Sequence, residues 1–367
     1  MRVSRVIILV LVVVLIAIVG LIAYGLLTAP PSTCGSVWRC AASYPLQVAG
    51  EPGVAGQQCL NFTAYVYCIG GQDTNGGPRN EVYSSSSLSA SSSNITGWTS
   101  DSNHYPQFIN GGSCVEDAGY VYCVGGSYND GGDDVASSYF APLGANGQVG
   151  NWSSTTAYPI PIDTQSCVAS ASFMYCVGGS NETDGSNADA APSTSVWYAQ
   201  LSPSGIGTWS HSTAYPEGIT FPSCFAGDGF VYCVGGADVN GNSVSTAYYA
   251  HLSPSGVGSW TSTAAYPVQA SGQACAISSG YIYCVGGETA GGSSPTYTNA
   301  VYFAPTSSGG IGTWKQATDY PNSLTTTCAI SSGSIYCIGG FDASSAGENG
   351  DVYYASLSSL SGTAASG

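Results

Sequence analysis

A short string, Tyr-Cys-[Val/Ile]-Gly-Gly, occurs six times in this chain, with its cysteine at Cys68, Cys123, Cys176, Cys233, Cys284 and Cys337. Nine positions before each stands another cysteine: Cys59, Cys114, Cys167, Cys224, Cys275 and Cys328. These first members lie 55, 53, 57, 51 and 53 residues apart. Self-similarity at such a period means copies of one supersecondary unit, none of which can bury its apolar faces alone. Other landmarks keep phase. An apolar, aromatic segment follows each Gly-Gly, for example SVWYAQL and TAYYAHL. Then comes a tryptophan and, six or seven residues later, a Tyr-Pro: Trp98–Tyr105, Trp152–Tyr158, Trp209–Tyr215, Trp260–Tyr266 and Trp314–Tyr320. A sixth such pair, Trp38–Tyr44, precedes the first repeat.

Gly-Gly, then an aromatic strand, then a tryptophan, in a unit of about 50 residues, resembles the kelch repeat of β-propellers over roughly residues 34–357. The resemblance implies an all-β, six-bladed, kelch-like β-propeller. It says almost nothing about function, because the fold hosts many. With strands named a to d from the axis outward, the count leaves one outer strand missing from the last blade. The segment around Trp38 supplies it and closes the ring without a free edge. The expected organisation is a cytosolic stub at 1–5, a membrane anchor at 6–27, a linker at 28–33, the propeller at 34–357 and a flexible tail at 358–367.

The cysteine spacing also predicts chemistry. Folding Cys275–Cys284 around a two-residue turn at Ser279-Gly280 pairs Ser278 with Tyr281, Ile277 with Ile282, Ala276 with Tyr283 and Cys275 with Cys284. The last pair falls on a non-hydrogen-bonded site, where side chains approach closest and a cross-strand disulfide fits. The same register in every repeat predicts Cys59–Cys68, Cys114–Cys123, Cys167–Cys176, Cys224–Cys233, Cys275–Cys284 and Cys328–Cys337. Cys34–Cys40 is the seventh pair. Zinc is the weaker alternative, because its ligand pairs must converge and these sit on separate blades.

Disulfides imply export, and the N-terminus agrees. Val6–Leu27 is an unbroken apolar run of 22 residues, preceded by Arg2 and Arg5 and followed by no cation until Arg39. That is long enough to span a bilayer, with the bulk of the chain outside; a cleaved signal peptide is the alternative. Asn61, Asn94, Asn151 and Asn181 head glycosylation sequons.

Charged residues make up 7% of the chain, with a formal net charge of -16. Only three cations (Arg39, Arg79, Lys315) follow the apolar run, so a nucleic-acid-binding face is excluded. Strand direction puts the b–c and d–a connections on one face, and 16 of the 21 acids fall there. Acids gather in long loops for solubility alone. The functional expectation is that Asp73, Asp130, Asp133, Asp134, Asp184 and Asp238 form an outward-facing binding surface. The strings Asp73-Thr-Asn75-Gly76 and Asp238-Val-Asn240-Gly241 resemble the start of a calcium loop without its later glutamate, so calcium is a candidate cofactor at Asp73, Asn75, Asp238 and Asn240.

Signs of catalysis are sparse. His104, His211 and His251 are scattered, Ser204 stands where a sialidase-like Asp-box needs aspartate, and no arginine cluster is present. The low charge and the dense Ser, Thr, Gly and Tyr resemble surface proteins of archaea. The expected function is a membrane-anchored extracellular propeller that binds a carbohydrate or a protein. A self-assembling surface or filament subunit is the first alternative and a carbohydrate-active enzyme the second.

Overall fold

The computed structural model describes residues 34–45, 47–48, 51–89, 91, 93–128, 133–181, 191–290, 295–342 and 347–362. The expected stub, membrane span and linker, and also Asp130 and Asp184, lie outside the described residues. The chain divides into two units, Met1–Ser36 and Val37–Gly367. Of the first, only residues 34–36 are described.

The second unit is an all-β, six-bladed propeller. Its innermost strands, Gln58–Phe62, Ser113–Asp117, Ser166–Ser170, Ser223–Gly227, Ala274–Ser278 and Thr327–Ser331, adjoin one another in a closed ring. Each opens an antiparallel sheet that runs outward through b and c to d. Blade 1 continues through Tyr65–Ile69, Val82–Ser85 and Trp98–Ser100. Blade 6 continues through Ser334–Asp342 and Gly347–Ser356, and its outer strand is the N-terminal Arg39–Cys40, with Arg39 opposite Tyr354 and Cys40 opposite Tyr353.

The a–b hairpins turn on two residues with positive φ, such as Asp228 and Gly229 at 50° and 80°, or Ser279 and Gly280 at 51° and 74°. This primed geometry matches the twist of paired strands. It fixes a register in which Cys275 faces Cys284. Six cross-strand disulfides follow, with Cα atoms 4.0–4.1 Å apart. Cys34 and Cys40 are disulfide-bonded as well, which makes seven pairs and leaves no free cysteine. Seven disulfides fit an oxidising compartment. Among the described residues, no helix is long and apolar enough to cross a membrane.

The b strands are buried along almost their whole length, as in Val66–Ile69 and Val121–Val124. A blade packs on a neighbour at both faces, so its inner sheet has no solvent side and reads as a continuous apolar run. The core is accordingly six clusters, one per blade–blade interface.

Two repeated devices hold these interfaces. Each tryptophan stands edge-on to the Tyr-Pro tyrosine of the preceding blade, with centroids 4.9–5.2 Å apart: Trp98 on Tyr44, Trp152 on Tyr105, Trp209 on Tyr158, Trp260 on Tyr215, Trp314 on Tyr266 and Trp38 on Tyr320. Its indole N–H donates to the carbonyl two residues before that tyrosine, as Trp98 does to Ala42 (2.9 Å) and Trp38 to Thr318 (3.0 Å). The second device is the Gly-Gly pair. Both glycines have positive φ, 65° and 99° at Gly125 and Gly126. A Cβ on Gly125 would stand 2.4 Å from the Ile162 carbonyl oxygen of the next blade, and one on Gly235 2.4 Å from that of Ala270. Glycine is needed here for backbone conformation and for close approach together.

One expectation differs from the structure. Residues 358–362, read as the start of a flexible tail, are ordered: Leu357–Leu360 forms a helical turn capped by the Ser356 hydroxyl, with Leu360 buried between blades 5 and 6. Two leucines three residues apart meet on one face of a helical turn.

The glycine device predicts unequal costs. Gly229→Ala, where φ is 80° and nothing lies near the new Cβ, should lose about 1–2 kcal/mol. Gly125→Ala adds a backbone collision and should lose about 3 kcal/mol or more. Urea melts of the oxidised variants measure both, and equal losses would refute the close-approach argument.

The tyrosines set an alkaline limit. Burial pushes the hydroxyls of Tyr67, Tyr122, Tyr175 and Tyr336 up to about 12, against about 10 in an unfolded chain. Above pH 10 the unfolded state therefore releases protons that the folded state keeps, and stability falls as pH rises from 10 to 12. The last tyrosinate absorbance to appear, that of the buried rings, should coincide with loss of the near-ultraviolet circular dichroism.

Candidate binding site at the channel mouth

The d–a segments and b–c loops meet on one face, bridged within each blade: Ala55 to Gln72, Asn110 to Ser127, Asp163 to Ser180, Thr220 to Ala237, Ser271 to Glu288 and Leu324 to Asp342. At the centre of this face the axial channel opens into a cavity of about 400 Å³ to which all six blades contribute. Its wall is mostly hydroxyl, amide and glycine backbone. Asn110 Nδ2 donates to Gln72 Oε1 (2.7 Å), and Gln72 Nε2 donates to Glu348 Oε1 (3.3 Å), a chain that links blades 2, 1 and 6. Glu348 is the carboxylate among the described lining residues, and no cation lines the cavity. Two aromatic rings, Phe221 and Phe341, complete the lining.

A collar of backbone bonds frames this mouth. Three residues before the first cysteine of each repeat stand Gly56, Gly111, Thr164, Phe221, Gly272 and Thr325. The first five have φ between 50° and 66°. They are joined blade to blade: Gly111 N–H to Gly56 (3.3 Å), Thr164 N–H to Gly111 (2.9 Å), Phe221 N–H to Thr164 (3.0 Å) and Gly272 N–H to Phe221 (3.2 Å), each to a carbonyl. At blade 6 the pattern changes, and Thr325 N–H donates to the Phe341 carbonyl.

Of the acids singled out from sequence, Asp73, Asp133, Asp134 and Asp238 are among the described residues. Asp73 is 4% exposed. Its Oδ1 accepts from the amides of Asn75 (2.8 Å) and Gly77 (3.2 Å), and its Oδ2 faces Arg79 at 3.3 Å. Arg79 also pairs with Glu81 at 3.1 Å. Asp238 closes its own loop in the same way, with Oδ1 accepting from Asn240 N–H (2.8 Å) and Asn242 N–H (3.0 Å). Amide bonds from Asn242 and Asn240 hold its carboxyl below the usual range. Asn75 and Asn240 thus serve these turns through their backbone amides. Asp133 accepts from the Tyr128 hydroxyl (3.0 Å), and Asp134 is buried beside Ser127. Among the described residues no three His, Cys, Asp or Glu side chains cluster as metal ligands would. The histidines stay apart, His211 edge-on to Trp197 and His251 edge-on to Phe230. Of the sequons, Asn61, Asn94 and Asn151 are exposed and Asn181 is half-buried.

The opposite mouth differs in character. It is a cavity of about 590 Å³ lined largely by aliphatic side chains such as Ala169, Ala226, Ile277 and Ile330. Glu116 stands there with its carboxyl raised by burial, despite a bond from Gly119 N–H (2.9 Å). Exposed large apolar side chains favour the first face: Phe108, Tyr128, Phe221 and Val239 lie on it, and only Tyr281 of the described ones lies on the other. Sequence reasoning passed over Phe221, Asn110, Gln72 and Glu348 as mouth residues. Aligning the repeats on their cysteines would have exposed Phe221, which occupies a column otherwise held by three glycines and two threonines.

No family model and no curated protein matches this chain. Among solved structures, one described as "Structure of YjhT" is similar, with a TM-score of 0.66 and 14% identity over 85% of this chain and 95% of that one. The likeness is one of fold. With 700 solved chains similar to this one, the architecture alone does not choose a ligand.

The carboxylate of Asp73 holds its loop together, whereas that of Asp238 caps an exposed turn. Asp73→Ala should lose about 2 kcal/mol of stability, because two amides and a guanidinium lose a charged partner. Asp238→Ala should lose less. Chemical denaturation of the two variants checks this, and an unperturbed Asp73→Ala would return that residue to the pool of free loop acids.

Proposed function

We propose that this protein is an extracellular, membrane-anchored, kelch-like propeller that binds a neutral carbohydrate at the channel mouth on its acidic face. The observation that carries the reading is the chemistry of the 400 Å³ mouth, whose described lining residues present amides and hydroxyls from several blades, one carboxylate, no cation and two aromatic rings. Convergent neutral hydrogen-bonding groups beside apolar ring faces suit a pyranose, which has hydroxyls at its edge and C–H bonds on its faces. The net charge of -16 supports a neutral ligand over an anionic one, since the surrounding field repels anions. Hydrolysis of a glycosidic bond calls for a pair of carboxyl groups about 5–10 Å apart, and Glu348 is the one carboxylate among the described lining residues. The 22-residue apolar N-terminal run and the seven disulfides support the extracellular setting.

The test is an array of neutral and acidic oligosaccharides probed with the intact chain. Neutral members should bind and acidic members should not. Asn110→Ala and Gln72→Ala should each weaken binding about tenfold, the equivalent of roughly 1.4 kcal/mol, with the melting temperature unchanged within a degree or two. Binding confined to acidic members, or unaffected by both substitutions, would overturn the assignment.

A further inference from the structure

Phe221 breaks two rules at once. It is a large apolar side chain that is 50% exposed, and its φ is 50°. A bulky residue in the left-handed region is an outlier, and such strain persists only where the surrounding structure enforces it. Here the collar enforces it. Phe221 N–H donates to the Thr164 carbonyl and the Phe221 carbonyl accepts from Gly272 N–H, so the backbone is held on both sides. Gly56, Gly111 and Gly272 adopt the same conformation in other blades, at φ 66°, 66° and 61°, without strain. Fold requirements would therefore be met better by glycine at position 221. Burial does not explain the residue either, since it is half exposed at the lip of the mouth.

We infer that Phe221 is a stacking platform for one hexopyranose ring of a neutral saccharide, set at the mouth opposite the hydrogen-bonding wall. This deepens the proposed function and rests on it. The platform's backbone is preorganised, because the collar holds it on both sides and it need not be ordered on binding. The polar counterpart is the Asn110–Gln72–Glu348 chain, which lines the same cavity from blades 2, 1 and 6. A sugar face on Phe221 leaves the equatorial hydroxyls directed at the walls, where amide and hydroxyl groups can donate and accept. An anionic sugar gains nothing from such a site, since no cation stands among its described lining residues.

The experiment compares the intact wild-type chain with Phe221→Gly, Phe221→Trp and, as an exposed-aromatic control on the same face, Phe108→Ala. Each is melted and titrated with the tightest-binding oligosaccharide from a neutral array. Phe221→Gly should raise the melting temperature by about 1–2 °C through relief of left-handed strain, and should weaken binding at least tenfold. Phe221→Trp should retain binding, and Phe108→Ala should leave it within twofold. Wild type that binds no neutral oligosaccharide would overturn both the platform and the proposed function. Wild type and Phe221→Gly binding equally well would overturn the platform alone. A lowered melting temperature for Phe221→Gly would show a packing role and overturn the strain argument. Loss of binding in Phe108→Ala alone would move the platform to that residue.

Discussion

One contact, made six times, organises this molecule: a tryptophan edge against the tyrosine of the preceding blade, with the indole N–H on a carbonyl two residues earlier. It combines a large buried area with a directional hydrogen bond, so it fixes both how closely two blades pack and how they are rotated. The Gly-Gly pair permits that spacing, because the neighbouring backbone carbonyl occupies the volume of a Cβ on the first glycine. A second row of bonds runs alongside. The strand-b tyrosines reach carbonyls in the next blade, Tyr67 to Gly144 at 2.7 Å and Tyr232 to Ser307 at 2.8 Å, and the last of them, Tyr336, returns to Ser93 in blade 1 at 2.6 Å. The N-terminal strand has only two ladder pairs. Trp38 and Tyr44, buried in the clusters on either side of blade 6, anchor it in place.

The disulfides act at a different level. Each closes a hairpin of ten residues, worth about 2–3 kcal/mol in the loop-entropy model, within a blade and not between blades. Their effect is to stiffen the innermost strands, whose starting residues line the mouth on the acidic face. The hydroxyls of Ser113 and Ser166, one residue before their cysteines, also accept from the backbone N–H groups of Cys167 (2.9 Å) and Cys224 (3.1 Å) in the next blade. A rigid inner ring with a polar upper rim is the outcome.

The parts legible from sequence are those set by period and parity. A nine-residue spacing with a two-residue turn permits one hairpin register, and Cys275 opposite Cys284 is that register. An unpaired Trp38–Tyr44 at the start of a chain with five complete Trp–Tyr pairs can only complete the sixth blade. What escaped the sequence reading depends on where side chains turn. Asp73 sits in a polar loop that reads as solvated, yet its carboxylate folds back onto two amides of its own turn and onto Arg79, and only the three-dimensional path of residues 73–79 reveals this. The mouth residues Asn110, Gln72 and Glu348 come from three blades and share no motif. Their association is a product of ring closure.

A sixfold mouth poses a difficulty that the departures from the repeat resolve. If every blade presented the same residue, a ligand without sixfold symmetry would find six equivalent poses and no preferred one. In this chain the collar column reads glycine, glycine, threonine, phenylalanine, glycine, threonine around the ring. Phe221 marks blade 4, while the amide chain and Glu348 mark blades 2, 1 and 6 across the axis. Blade 6 differs again, because the collar is interrupted there and Thr325 turns to Phe341. The apolar ring and the polar wall thus lie on different sectors of one rim, an asymmetry that would give the proposed ligand a single orientation. In a repeat protein the repeated residues carry stability, and specificity has to come from the positions that break the repeat.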